Sequence, residues 1–300
     1  MADRRLQVFH AVARHLSFTK AAEALFMTQP AVTFQVKQLE DQFNTRLFER
    51  GHGKIALTPA GELVLDYANR ILALTDEMET RLAEMTGEMR GPLLVGASTT
   101  IAEFMLPRVL GEFNSLYPQV RARLIVGNSE TIENRVAEHT LDVGLVEAPT
   151  KDPSLVSESC CEDELQVICA PDHPLVGEPF LTPKALREYE FISREPGSGT
   201  REVTDAYFRA AGVPPESLKV LMELGSPEAL KGVVSTGLGF AIVSRAVFEK
   251  EQRLGTLVAI PLKPPLQRSL SLVYPRDRFR SRLATTFIGF ARQKLGEFVL

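Results

Sequence analysis

Ser17-Phe18-Thr19-Lys20-Ala21-Ala22-Glu23-Ala24-Leu25, then Phe26-Met27, then Thr28-Gln29-Pro30-Ala31-Val32-Thr33, is the stretch that decides how this chain folds at its start. Ser17 and Thr19 are good helix N-caps, and Ala21, Ala22, Ala24 and Leu25 give the following helix an apolar face. Phe26-Met27 forms a turn. Thr28 then caps a third helix whose first turn tolerates Pro30. That helix is predicted to run to about Phe43, where Asn44 and Thr45 end it. Upstream, Leu6, Phe9, Val12 and Ala13 recur at helical spacing, and His15-Leu16-Ser17 breaks that first helix. Downstream, Arg46–Arg50 and Lys54–Leu57 flank Gly51-His52-Gly53, as in a small hairpin or wing.

Within the third helix, Val32, Val36, Leu39 and Phe43 form one stripe predicted to pack inward. Gln29, Pro30, Thr33, Phe34 and Lys37 lie on the other side, free to meet solvent or DNA. Glutamine pairs bidentately with adenine, and threonine meets a base edge or a thymine methyl. Lys37, Arg50, Lys54 and the helix N-terminus at Thr28 suit phosphates. Charge supports this reading. Residues 1–58 hold eight Lys/Arg against five Asp/Glu, a net +3 within a chain of net −4. The other residues carry 26 bases and 33 acids, a net −7. A basic head on an acidic body meets a polyanion with the head alone.

Thr58-Pro59 opens a long helix, a cap followed by proline at the first helical position. Val64, Tyr67, Ile71, Leu74, Met78, Leu82 and Met85 are spaced as a coiled-coil seam over roughly four heptads. A lone seam of this length cannot bury itself, so a partner chain is expected. Gly87 and Gly91-Pro92 mark its end and a linker. From Leu93 onward, strands alternate with helices, the signature of α/β architecture. Strands are predicted at 93–97, 121–127, 142–146, 165–170, 190–194, 219–223, 238–243, 256–260 and 268–274. Helices are predicted at 100–115, 130–138, 200–211, 227–235 and 281–295. The order implies two subdomains, with the chain crossing near Glu162–Glu164 and again near Leu266–Arg268.

The head motifs, with Leu39-Glu40, Leu47-Phe48-Glu49-Arg50 and Leu57-Thr58-Pro59-Ala60-Gly61, resemble the winged helix-turn-helix of LysR-type transcriptional regulators over about 65 continuous residues. Ala170-Pro171-Asp172-His173-Pro174-Leu175 and Gly237-Leu238-Gly239-Phe240 resemble that family's effector-binding domain more loosely. The resemblance implies an α+β multi-domain chain: a winged helix-turn-helix (1–58), a coiled-coil dimerisation helix (59–90) and a two-lobed, periplasmic-binding-protein-like α/β body (91–300). Lobe one would comprise about 91–162 and 267–300, and lobe two about 163–266. It further implies a homodimer, commonly a homotetramer, acting on double-stranded DNA. A two-fold dimer would read an interrupted palindrome. Phe34 departs from the family, where a polar or basic residue is common. It can touch a thymine methyl but cannot hydrogen-bond a base.

Two strand-to-helix turns in the body read as holders of a small anion. One is Gly96-Ala97-Ser98-Thr99-Thr100-Ile101, with its hydroxyls at a helix N-terminus. The other is Ser193-Arg194-Glu195-Pro196-Gly197-Ser198-Gly199-Thr200-Arg201, where glycines allow close backbone approach, Ser198 and Thr200 add donors, and Arg201 adds charge. The ordinary alternative for each is an N-cap. Gly197, Ser198, Gly199, Thr200 and Arg201 resemble a version found in regulators of sulfur-anion metabolism and of carbon dioxide fixation.

No catalytic or cofactor constellation is read. No Gly-Lys-Ser/Thr follows the glycine turn. The five histidines lack metal-ligand spacing. Cys160, Cys161 and Cys169 suit a reducing compartment. Glu162, Asp163 and Glu164 read as a solvated charge run. The N-terminus lacks a signal peptide's apolar core, and no window approaches 18 apolar residues, so a cytoplasmic protein without a membrane span is predicted. The competing readings are a small-molecule binding protein whose head serves association, and an enzyme on the α/β body.

Overall fold

The computed structural model describes residues 3–51, 54–85, 89–148, 150–276 and 280–297; at 50, 51, 54, 73, 76, 77, 79–81 and 83–85 it describes the backbone alone. His52 and Gly87 lie outside the described residues, as do the side chains of Arg50, Lys54 and Met85. The chain divides into two compact units, Met1–Glu88 and Met89–Leu300.

The first unit is three helices, a hairpin and a long helix: α1 (Arg4–His15), α2 (Phe18–Ala24), α3 (Gln29–Phe43), β1 (Phe48–Gly51), β2 (Lys54–Leu57) and α4 (Pro59–Met85). Ser17 caps α2 by accepting from the Lys20 N–H, and Asn44 ends α3 in the left-handed conformation. Phe9, Val12, Phe18, Ala21, Val32, Val36, Leu39, Leu47 and Phe48 close one core. Phe43, predicted to face inward, is 45% exposed, because it lies beyond the last turn that α1 and α2 cover. Val64, read as the first residue of the α4 seam, packs against this core instead. From Tyr67 onward the seam faces outward: Tyr67, Ile71, Leu74, Met78 and Leu82 are all exposed.

The second unit follows as β3 (Gly91–Ser98), α5 (Thr99–Phe104), α6 (Leu106–Leu116), β4 (Val120–Gly127), α7 (Ser129–Ala137), β5 (Val143–Val146), β6 (Leu155–Cys169), α8 (Pro183–Leu186), β7 (Glu190–Arg194), α9 (Gly199–Ala210), β8 (Lys219–Leu224), α10 (Pro227–Val234), β9 (Ala241–Ser244), α11 (Arg245–Leu254), β10 (Val258–Ile260), β11 (Leu266–Pro275) and α12 (Arg282–Gly296). One sheet runs β10-β6-β11-β5-β3-β4, with β9 also pairing β6. β7 and β8 form a parallel pair, tied to the sheet by the Phe191–Phe240 bridge. β6 and β11 pair antiparallel from Leu266↔Leu165 to Pro275↔Leu155. They carry the chain between two lobes with separate cores. One is built on Ile101, Leu106, Phe113, Leu272 and Phe287, the other on Leu165, Phe191, Phe208, Phe240 and Leu262.

Three expectations change here. The helix predicted at 100–115 is two helices, because Pro107 lacks the N–H and its ring crowds the carbonyl four residues back. β6 starts ten residues earlier than predicted, and Gly91-Pro92 opens β3 rather than a linker. α11 was not foreseen, although Ser244 caps its start and Gly255 ends it in the left-handed conformation.

The turn into α4 explains the Thr58–Gly61 motif. The Thr58 hydroxyl donates to the Arg46 carbonyl (2.7 Å) and accepts from the Gly61 N–H (2.9 Å). A Cβ on Gly61 would lie 2.1 Å from the Leu47 carbonyl oxygen. Gly61→Ala should therefore lower the opening free energy of the head by about 2 kcal/mol or more. Native-state hydrogen exchange of the α1–α3 amides checks this; unchanged protection would show that the turn relaxes freely.

Candidate functional site

In the head, α3 presents a mixed polar and aromatic face. Val32, Val36 and Leu39 are buried, while Thr28, Gln29, Pro30, Phe34 and Lys37 are exposed and Thr33 is half-buried. The Gln29 amide donates to the Thr33 hydroxyl (3.1 Å), so the two side chains stand one turn apart on a shared face. Glu40 points elsewhere: its carboxylate accepts from the Leu47 and Phe48 N–H groups (2.7 and 3.3 Å) and pins the wing to α3. Sequence reasoning took Phe26 only as a turn former. It is 99% exposed with φ +53, the barest aromatic among the described residues of this unit.

In the body, the two hydroxyl-bearing turns come together, and a carboxylate of the chain lies between them. Glu147, just after β5, is buried to 1% exposure. Its carboxylate accepts from Ser98 Oγ (3.1 Å), Thr200 Oγ1 (2.8 Å) and Arg268 Nη1 (2.8 Å), and from the Thr100 hydroxyl. Ser98 and Thr100 belong to lobe one, Thr200 to the first turn of α9. Burial alone would raise this carboxyl. The Arg268 charge, the Thr100 hydrogen bond, the Arg194 charge and the Thr200 hydrogen bond override it and hold the group at about 2.

Gly199 is required by this closeness: a Cβ there would lie 2.6 Å from Glu147 Cβ. Gly197 adopts φ +81, and its carbonyl accepts from the Glu130 N–H (3.3 Å). Ser198 is buried, and its hydroxyl has no hydrogen-bond partner among the described residues.

Arg268, on β11, also donates through Nε to Asp163 Oδ2 (2.7 Å), and Ser244 Oγ donates to Asp163 Oδ1 (2.7 Å). Asp163 is thus no member of a solvated charge run. It is 1% exposed, because the alternation of β6 turns it inward between Glu162 and Glu164. Burial holds its carboxyl above the usual range, against the pull of Arg268 and Ser244.

A second guanidinium, Arg194, reaches from lobe two to Thr99 Oγ1 (2.9 Å) while pairing with Glu195 (2.9 Å). Arg201 is turned away: it donates to the Arg194 carbonyl and pairs with Glu223 and Asp205. Beside the turns runs an open groove of about 540 Å³, bordered by Ser129, Ala148, Gly197, Ser198 and Arg201. Sequence reasoning missed Glu147, Asp163, Arg194 and Arg268. Each is a charge in or beside a strand; Glu147, Asp163 and Arg268 find their partners far away in sequence, and Arg194, although paired with its neighbour Glu195, crosses to Thr99.

A helix-turn-helix module with an exposed recognition face, on a chain whose two-lobed body brings anion-binding groups together, defines a DNA-binding regulator that answers to a small molecule. Comparison with known proteins gives the family. Residues 4–62 match the bacterial regulatory helix-turn-helix of the lysR family, and residues 86–296 match the LysR substrate binding domain. The chain belongs to the LysR family of transcriptional regulators, and it is not an enzyme.

It is 36% identical to the RuBisCO operon transcriptional regulator of Allochromatium vinosum, over 96% of this chain and 94% of that protein. It is also 36% identical to a probable RuBisCO transcriptional regulator of Porphyra purpurea, over 94% and 90%. These relatives fall in the carbon-dioxide-fixation group that the Gly197–Arg201 turn resembles. Among solved structures, the regulatory domain of CcmR from Synechocystis PCC6803, in complex with 2-PG, matches with TM-score 0.64 and 30% identity, covering 70% of this chain and 99% of that one. Full-length CbnR with its target DNA shares the fold over 98% of this chain and 100% of that one (TM-score 0.70, 22% identity).

Removing one partner of a buried charge cluster leaves the others uncompensated. Arg268→Leu should cost about 3–5 kcal/mol of unfolding free energy at pH 8. Glu147 and Asp163 would then hold protons in the folded state at a pH where the unfolded chain has lost them, so stability should rise as pH falls. Urea unfolding at pH 8 and pH 5 tests this. A loss equal at both pH values would remove the cluster from the protein's electrostatic balance.

Proposed function

We propose that this regulator is controlled by a small phosphorylated acid held between the lobes by Ser98, Thr99 and Thr100 of one and the Gly197–Arg201 turn of the other, with Arg194 supplying the cation. The observation that carries this reading is that Ser98, Thr100 and Thr200 already hold a carboxylate, so the donors converge on an anionic oxygen pair. The 2-PG bound by the CcmR regulatory domain supports the phosphorylated class.

Residues 1–58 are the DNA-binding domain, 59–90 the dimerisation helix and 91–300 the effector domain. The exposed Tyr67–Leu82 stripe pairs with its copy in a homodimer, and two dimers give a homotetramer. A two-fold dimer reads an interrupted palindrome, with half-sites a helical turn or a multiple apart. Thr28, Gln29, Pro30, Thr33, Phe34 and Lys37 meet the major groove, and Arg50 and Lys54 of the wing meet phosphates. Among the described residues no helix is long and apolar enough to cross a membrane. A protein whose partner is the chromosome acts in the cytoplasm.

For the head, Gln29→Ala should lower the ratio of specific to random duplex affinity by roughly 5- to 150-fold, the range for one bidentate base contact. Lys37→Ala should weaken all duplexes alike and reduce the salt slope by about one. Fluorescence anisotropy across a salt series separates the two, and an intact ratio in Gln29→Ala would overturn the recognition-face assignment. For the body, 2-phosphoglycolate should alter the operator footprint of the full-length protein. Thr100→Val and Arg194→Ala should each weaken that ligand by about 1–3 kcal/mol while effector-free DNA affinity stays within a factor of about two. Calorimetric affinities equal to wild type in both variants would place the effector elsewhere.

A further inference from the structure

The donors assigned to the ligand are not vacant, because Glu147 fills them. Its two carboxylate oxygens take the Ser98 and Thr200 hydroxyls and one Arg268 N–H, at 2.8–3.1 Å. The backbone holds the group there closely: the Glu147 N–H approaches Ser129 Oγ (3.4 Å), and Gly199 leaves no room for a side chain against Glu147. We propose that Glu147 is a tethered competitor, a carboxylate of the chain that occupies the anion nest between the lobes and must swing out before a free anion can enter.

Three features of the site fit displacement better than a permanent structural tie. First, the nest is over-supplied. Asp163 already gives Arg268 a carboxylate partner at 2.7 Å, so the cluster Glu147, Asp163 and Arg268 carries a net charge of −1. Arg268 therefore keeps a carboxylate partner in Asp163 when Glu147 leaves. Second, the buried Ser198 hydroxyl at the head of α9 has no hydrogen-bond partner among the described residues. It is a donor that the two oxygens of Glu147 do not use, and a phosphate or sulfate brings more acceptor oxygens. Third, the exit is short. Ala148 and Ser198, next in sequence to Glu147 and Gly199, border the open groove, so solvent comes within one residue of the carboxylate.

The competition sets affinity. A ligand that needs the nest binds with its intrinsic constant divided by the fraction of molecules in which Glu147 is out. A nest free in one molecule in a hundred costs about a hundredfold. Any anion that enters also uncouples Glu147 from Thr200, and so cuts the hydrogen bond by which this residue of lobe one holds lobe two. Occupancy of the nest is then coupled to the tie between the lobes. This inference rests on the effector reading for the place of the ligand, but its test uses simple anions and stands apart from the effector's identity.

The test compares full-length wild type, Glu147→Ala and Glu147→Gln at constant ionic strength, with potassium chloride replaced stepwise by potassium acetate or phosphate. Melting temperature and calorimetry are the readouts. Glu147→Ala should melt below wild type in chloride and recover with acetate, by about 3 °C or more at a concentration ten times its Kd. Wild type should respond to neither anion beyond chloride. Where Glu147→Ala yields no folded protein, Glu147→Gln decides: it fills the space without the charge, so phosphate should stabilise it and not wild type.

Equal responses in all three proteins overturn the proposal, because Glu147 would then exclude nothing. Absence of any acetate or phosphate response in both variants overturns it as well, because the vacated nest would hold no anion. Failure of 2-phosphoglycolate to alter the wild-type footprint would instead count against the effector reading and leave the anion rescue intact.

Discussion

A guanidinium buried from water must be matched by charge and hydrogen bonds, and in the body of this protein Arg268 is matched by a cluster drawn from five separate segments, with Nη2 held by the Asp163 charge but without a hydrogen-bond partner among the described residues. Asp163 lies directly opposite it in the β6–β11 register. Glu147 follows β5, Thr200 opens α9, and Ser98 and Ser244 reach the same two carboxylates from the ends of β3 and β9. A slip of one residue between β6 and β11 would turn Asp163 to the other face and leave Arg268 with Glu147 alone, which is costlier than losing an apolar contact. The cluster thus fixes the register of the crossing strands. It also ties α9 to lobe one through the Thr200–Glu147 hydrogen bond, and Gly199 permits that closeness, because a Cβ there would lie 2.6 Å from Glu147 Cβ.

The head is organised on a different principle. Its core is apolar, and its few polar contacts serve to set angles: Glu40 binds the start of the wing, and Thr58 joins the end of the wing to α4. With those angles set, the polar and aromatic residues of α3 are left uncovered. The head therefore presents a surface shaped by what it does not bury, whereas the body is held by charges that it does.

The helices of the head were legible because each buries a single face and carries a clean cap, as at Ser17 and Asn44. The break between α5 and α6 is marked in the sequence only by Pro107, because the apolar pattern runs through Met105 and Leu106 without interruption. α11 was hidden for the opposite reason: only Val247 and Phe248 are buried in it, too few to show a period. In the site, the hydroxyls of the two turns could be read from local chemistry alone. Glu147, Asp163, Arg194 and Arg268 could not. A charge in a strand reads as surface unless its partner is known, and Glu147 and Arg268 are 121 residues apart. Asp163 was misread for the same reason, since Glu162 and Glu164 beside it made the segment look uniformly wet.

The lobes are joined by strands that are hydrogen-bonded to each other, and this has a mechanical meaning. Two free strands would let the lobes swing in any direction. A paired antiparallel ribbon resists shear along its length and bending in its own plane, but it yields to torsion. The β6–β11 ribbon also has one irregular step: between Leu270 and Ser271 the register skips Cys160, which has no counterpart on β11. A bulge raises local twist and interrupts the ladder. Rotation about the ribbon is therefore the relative movement of the lobes that it resists least, and the irregular step at Cys160 lies three residues along the strand from Asp163 of the ionic cluster.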